Sequence, residues 1–218
     1  MPEPNTSRPP ERPRPVALGA IAEQVKRYAH DPDYISFGAA CPGIVLFDND
    51  RVRRIVNRTI QRDRSLLTQY PLGSAEEPLR RAIARHALGL GCVCDPGQVV
   101  VTHGCLEAIS LCLRAVTQPG VVVALESPTY FGFMEMLQTL QLQALEIPTH
   151  PRTGLSLDAL QLALDTQPVR AVLAVPTLSN PLGACMPQPE RKRLARMVAD
   201  KGIPLTEDVI YNELARDD

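Results

Sequence analysis

Apolar positions along the chain follow two rhythms. Across residues 50–64 they recur every three or four places, with Val52, Ile55, Val56 and Ile60 set among arginines, which predicts an amphipathic helix. Ser74-Ala75-Glu76-Glu77 has the form of a capping box, with Ser at the N-cap and Glu at N3. It predicts a second helix with Leu79, Ala82, Ile83, Ala87 and Leu90 inward. After residue 95 short apolar runs alternate with helical stripes. Strands are predicted at 98–102, 121–125, 142–147, 171–175 and 203–206. The helices between them carry Leu106, Ile109, Leu113 and Val116, then Phe133, Met136, Leu137 and Leu140, then Leu157, Leu160 and Leu164. A last one over 189–201 is closed by Gly202 in the C′ place. Continuous apolar strands joined by helices predict an α/β fold, a mostly parallel sheet with helices on both faces.

Composition narrows the classes. At 44% hydrophobic and 22% charged, the 218 residues describe a globular chain. Six of the first fifteen residues are proline, with Arg8, Arg12 and Arg14 between them. Such a segment is read as an extended, disordered linker over 1–20. Residues 21–95 then carry the two predicted helices, and 96–218 the alternating strands and helices. Lys+Arg 23 against Asp+Glu 24 argues against a nucleic-acid contact by this segment. No apolar run reaches the roughly 18 residues of a membrane helix. No signal-peptide core follows Met1, so no membrane partner and a cytoplasmic location are expected. Six cysteines and four histidines include only a Cys92-x-Cys94 pair, so no metal site is expected. Of the basic residues, three are lysines: Lys26, Lys192 and Lys201.

Ligands of open α/β sheets bind beyond the carboxyl ends of the strands, so the residues after each strand matter most. His103-Gly104-Cys105-Leu106-Glu107 follows the first predicted strand, and Glu126-Ser127-Pro128-Thr129-Tyr130-Phe131-Gly132 the second. After the fourth comes Ser179-Asn180-Pro181-Leu182-Gly183, and after the fifth Asp208-Val209-Ile210-Tyr211. Gly104 opens a helix whose free N–H groups at Cys105 and Leu106 suit a phosphate. Taken alone, a tight turn that needs glycine is the better account. Tyr130 can lay its ring on a ligand or pack beside Phe131 and Phe133. Asn180 is held extended by Pro181, although Asn-Pro is also a common turn. Asp208 can hold a ring nitrogen protonated or serve equally as an N-cap, with Tyr211 one helical turn on.

In their order after successive strands, these motifs resemble the fold-type-I, pyridoxal-phosphate-dependent aminotransferases of class I/II. The resemblance runs from about Ile35 to the end. Within that superfamily the chain is most similar to the aminotransferase-like domain of MocR-type regulators of the GntR group, in which a linker joins a winged helix to such a domain. The Pro/Arg-rich start fits that linker. The resemblance implies pyridoxal 5′-phosphate as cofactor, its phosphate on the amides of Gly104, Cys105 and Leu106. It implies Tyr130 stacked on the ring, Asn180 and Tyr211 on its phenolic oxygen, and Asp208 on its nitrogen. Tyr70 would reach the phosphate across a homodimer interface, and an amino acid or 2-oxo acid would be the ligand.

Three positions depart from the family pattern. Ala75 stands where glycine is usual, and Leu106 replaces a polar side chain at the phosphate turn. The third concerns the Schiff-base lysine, which the family carries beyond its Asp-x-x-Tyr motif; the chain reaches Asp218 seven residues after Tyr211 without one. No catalytic residue is therefore assigned, and the chain is expected to be truncated and inactive by itself. The alternatives are a fragment of a free-standing amino-acid aminotransferase and a cofactor-free interaction remnant.

Overall fold

The computed structural model describes residues 14–15, 24, 27–28, 31, 33, 44–68 and 76–215. The chain divides into two compact units, residues 40–102 and the remainder, 1–39 with 103–218. The second holds the sheet. Its strands are β1 (Arg14–Pro15), β2 (Val122–Ser127), β3 (Gln143–His150), β4 (Gly154–Leu155), β5 (Val169–Ala174) and β6 (Leu205–Glu207). They lie in the order β1-β3-β2-β5-β6, with β4 paired to β3. β2, β3, β5 and β6 are mutually parallel, while β1 and β4 run antiparallel to β3. Four predicted strands thus form, each within a few residues of its expected bounds.

The strands are apolar on both faces because both faces are covered. On one, Val122, Ala124, Leu145, Ile147 and Val172 pack with Leu157, Leu160 and Leu164 of α5 (Leu157–Thr166) and Leu194 and Val198 of α6 (Gln188–Asp200). On the other, Val123, Leu125, Ala144 and Leu173 meet Ile109 and Leu113 of α3 (Cys105–Val116) and Phe133 and Leu137 of α4 (Phe131–Thr139). The chain leaves β2 for β3 on one side, then returns past β2 to β5 on the other. The sheet order therefore reverses between β2 and β5, and a crevice at such a switch point is where open α/β sheets bind ligands.

Two expectations are corrected. Residues 98–102 make no strand. Asp95 caps a short 3-10 turn over Pro96–Gln98 instead, its Oδ1 accepting from Gly97 N at 2.6 Å while Gln98 Oε1 accepts from Asp95 N. The apolar residues that follow find no neighbouring strand among the described residues, and Val100 is 73% exposed. At the start of the chain, Arg14–Pro15 is not solvated linker but pairs with Gln143 and Ala144 of β3. Its place at the edge of the sheet suits proline, which cannot donate to a ladder.

The unit of residues 40–102 is helical, with α1 (Asn49–Arg62) and α2 (Glu77–Gly89). α2 begins at Glu77, with Glu76 as N-cap and no side-chain cap from it, and the expected capping-box Ser74 lies outside the described residues. Pro78 sits in its first turn, where the missing N–H costs nothing. Ser74, Ala75 and Tyr70 lie outside the described residues, as does most of the 1–20 linker. No described helix is long and apolar enough to cross a membrane.

Candidate functional site

Parallel strands bring their carboxyl ends to one edge, so the segments after β2, β5 and β6 start side by side. α3 meets that edge at its first residue. Gly104 has φ +118°, a backbone that L side chains rarely adopt, and a Cβ there would find nothing within 4 Å. The turn therefore requires glycine, and the space in front of it is open. No side chain caps α3, so the amides of Cys105 and Leu106 lie in the uncapped first turn. Glu107 turns back instead, its Oε2 accepting from His103 N and lying 3.1 Å from His103 Nδ1. The His103 N–H holds that carboxyl below its usual range.

The α3 turn is joined to the end of β6 by one contact. Cys105 donates its thiol to Asp208 Oδ1 at 3.3 Å, and Ile210 N donates to the same oxygen at 3.0 Å. Asp208 is buried, with its own N–H on Ala174 O of β5. Burial, followed by the charge and hydrogen bond of Asp208, pushes the Cys105 thiol up to about 12. It stays a neutral donor at ordinary pH. Tyr211 stands in a turn before the short 3-10 segment Asn212–Leu214, so no helix carries it past Asp208 as expected.

Tyr130 caps α4 immediately after β2. Its ring lies 4.7 Å from that of Phe131 and 5.5 Å from that of Phe133. A Cβ on Gly132 would come within 2.3 Å of Tyr130 Cε1, so glycine is what lets the ring lie against the helix backbone. Asn180 is half-buried in the segment between β5 and α6. Around it Ser179 N donates to Ala184 O, Ala184 N to Ser179 Oγ and Gly183 N to Ser179 O. Leu178 has φ 51°, the left-handed region disfavoured for a branched side chain. Arg191 of α6 clamps the loop from below, donating to Met186 O, Pro176 O and Thr177 Oγ1 at 2.8–2.9 Å.

Cys105 and Asp208 are thus in direct contact, Tyr130 and Asn180 stand on turns leaving the same ends of β2 and β5, and Tyr70 lies outside the described residues. Sequence reasoning missed Glu126. It is 1% exposed at the end of β2, and its Oε1 accepts from Val175 N, just past β5, at 2.9 Å. Its Oε2 has no hydrogen-bond partner among the described residues. Burial, with Asp208's charge added and the Val175 N–H opposing, pushes its carboxyl up to about 7. The signal was a single acid in an otherwise apolar run.

The model of the aminotransferase class I and II family matches residues 41–218. The chain belongs to that family. Class I and II aminotransferases are pyridoxal-phosphate-dependent. The chain is 33% identical over 214 residues to the uncharacterized HTH-type transcriptional regulator YjiR of Escherichia coli, covering 98% of this chain and 46% of that protein. It is 31% identical over 201 residues to 2-aminoadipate transaminase of Thermus thermophilus, covering 91% and 48%. The chain thus spans about half the length of the curated relatives it matches. The structure of LysN, the α-aminoadipate aminotransferase of Thermus thermophilus, complexed with N-(5′-phosphopyridoxyl)-L-leucine, superimposes with TM-score 0.74 at 28% identity, over 89% of this chain and 47% of that one. The fold is that of the fold-type-I enzymes.

The described residues suit such a cofactor. The α3 turn offers an open glycine and uncapped amides for a phosphate, and Asp208 is a buried carboxyl anchored by a thiol and an amide. Of the lysines whose side chains are described, Lys192 is exposed on α6 and Lys201 donates to Asp165 Oδ1 at 2.6 Å.

Proposed function

We propose that this chain is the cofactor- and effector-binding part of a MocR-type transcriptional regulator, contributing residues that bind pyridoxal 5′-phosphate. The Cys105–Asp208 contact carries the cofactor reading, because it joins an anion-binding helix start to a buried carboxylate at the sheet's switch-point edge. The similarity to YjiR, which spans 98% of this chain, supports the regulator reading. In this assignment Gly104, Cys105 and Leu106 bind the phosphate through backbone N–H groups, and Tyr130 covers the ring. Asn180 and Tyr211 orient the phenolic oxygen, and Tyr70 adds a phosphate contact across a homodimer interface. Asp208 keeps a proton on the ring nitrogen. When bound, the protonated ring supplies an electron sink for charge at the Cα of an amino acid. The chain resides in the cytoplasm and takes an amino acid or a 2-oxo acid as its ligand.

Titrating pyridoxal 5′-phosphate into the 218-residue chain, followed by absorbance, tests this. Saturable binding is expected, weakened roughly tenfold or more by Asp208→Asn, which loses a charge-assisted hydrogen bond. Borohydride treatment leaves no cofactor mass on any lysine, and no amino group passes to a 2-oxo acid. Turnover by this chain would overturn the assignment. It would favour the alternative, part of a free-standing aminotransferase, which the 31% identity to 2-aminoadipate transaminase supports. Absence of binding would leave a cofactor-free interaction module. A winged helix encoded upstream of this segment separates regulator from enzyme.

A further inference from the structure

Glu126 has no part in the assignments above, yet it occupies the switch point itself. It lies at the end of β2, and its Oε1 takes the N–H of Val175, the first residue beyond β5. That bond ties together the two strand ends between which the sheet order reverses. By strand alternation the side chain lies on the sheet face of Val122 and Ala124.

We propose that Glu126 is a positioning residue for Asp208: a buried carboxylic acid that holds its proton on Oε2, so that the two carboxyls together carry one negative charge, on Asp208. Three observations support the assignment. The residue is 1% exposed, and an ionised carboxylate there would keep one oxygen without a donor among the described residues. The charge of Asp208 acts against a second negative charge on Glu126, and two nearby carboxyls do not both ionise readily. Asp208 is also the better-served anion, receiving Cys105 Sγ and Ile210 N, whereas Glu126 receives one amide.

The surrounding charged groups leave this division intact. Cys105, on α3, is a neutral donor spent on Asp208. Arg191, on α6, gives its guanidinium to Pro176 O, Met186 O and Thr177 Oγ1. Arg193 on the same helix pairs with Asp158 and Glu190, and Lys201 just beyond it with Asp165. Glu146 of β3 is held by Ser127 Oγ and, by strand alternation, lies on the opposite sheet face. Ionisation of Glu126 would place a second negative charge beside Asp208, so affinity for a cationic ring nitrogen would acquire a dependence on pH around neutrality.

This deepens the cofactor reading and rests on it only for its last consequence, so the test has two arms. In the first, infrared spectra of the 218-residue chain without cofactor are recorded against pH. A buried protonated-carboxyl C=O band is expected below neutral pH and absent from Glu126→Gln. In Asp208→Asn the band should titrate away about one pH unit earlier than in the wild type, because the neighbouring charge is gone. A wild-type spectrum without that band, or one unchanged in Glu126→Gln, overturns the proposal. So does an Asp208→Asn midpoint equal to the wild type's. In the second arm pyridoxamine 5′-phosphate is the probe. Comparing wild type with Glu126→Gln cancels the probe's own titration, and the ratio of their dissociation constants should change severalfold from mildly acid to mildly alkaline pH. A constant ratio overturns the effect on the ligand. No binding by either protein at any pH sinks the cofactor reading alone, while the infrared arm still decides the state of Glu126.

Discussion

A carboxyl that enters the core protonated makes folding itself sensitive to pH. Glu126 rises from an ordinary 4.5 to about 7 on folding. The folded chain therefore keeps a proton that the unfolded chain releases, and the sign follows. Stability from this group is complete below the unfolded value and falls as pH rises towards about 7, by roughly 3 kcal/mol in all. Glu126→Gln, which cannot ionise, removes that slope. Urea midpoints should show the variant gaining on the wild type as pH rises through the window; parallel curves would exclude a buried acid. Cys105 makes the complementary case. Its thiol is held near 12 by burial and Asp208, so it should react with iodoacetamide far more slowly at mildly alkaline pH than the exposed Cys92, Cys112 or Cys185. Asp208→Asn should speed it, and peptide mapping of the alkylated chain reads both.

At the level of elements, the loop between β5 and α6 depends on a residue outside it. Arg191 satisfies the carbonyls of Pro176 and Met186 and the hydroxyl of Thr177, in a segment where Thr177, Ser179, Ala184 and Met186 are all buried. Arg191→Ala strands those acceptors and should cost about 2–3 kcal/mol in urea unfolding. Arg191→Lys should recover only part, since an ammonium cannot present the same planar fork. An alanine variant within about 0.5 kcal/mol of wild type would show that water replaces the clamp. Such a cross-element bond has no periodic trace in sequence, which is why Arg191 was invisible there. The parallel strands were legible because burial on both faces leaves continuous apolar runs. The run at 98–102 looks the same, but a strand also needs a neighbour, and that is not written in the run. Asp208 was singled out by its place after the fifth predicted strand, which forms. Gly104 was singled out after a predicted strand that does not form, and only its positive φ answers the need for glycine there. Glu126 was not legible, because ending the strand at Leu125 instead of Ser127 turns a buried strand acid into the start of a surface turn.

Over the whole molecule, the sheet unit has two complete cores while α1 has none. None of α1's residues is buried, and its predicted inner stripe shows Val52 57%, Ile55 52% and Val56 48% exposed. The amphipathic pattern was read correctly, but among the described residues the stripe stays about half exposed. A 14-residue helix draws most of its stability from packing that stripe, not from propensity. An uncovered apolar face also favours association. The 218-residue chain should therefore self-associate as its concentration rises, and Val52→Lys with Ile55→Lys should shift sedimentation towards the monomer. Because both substitutions fall on exposed positions outside the sheet unit, the sheet's thermal transition should move by less than about 0.5 kcal/mol in equivalent stability. A monomer at every concentration in the wild type would mean that α1 hides its stripe within the chain. Loss of the sheet's transition in the double variant would mean that the two units fold as one.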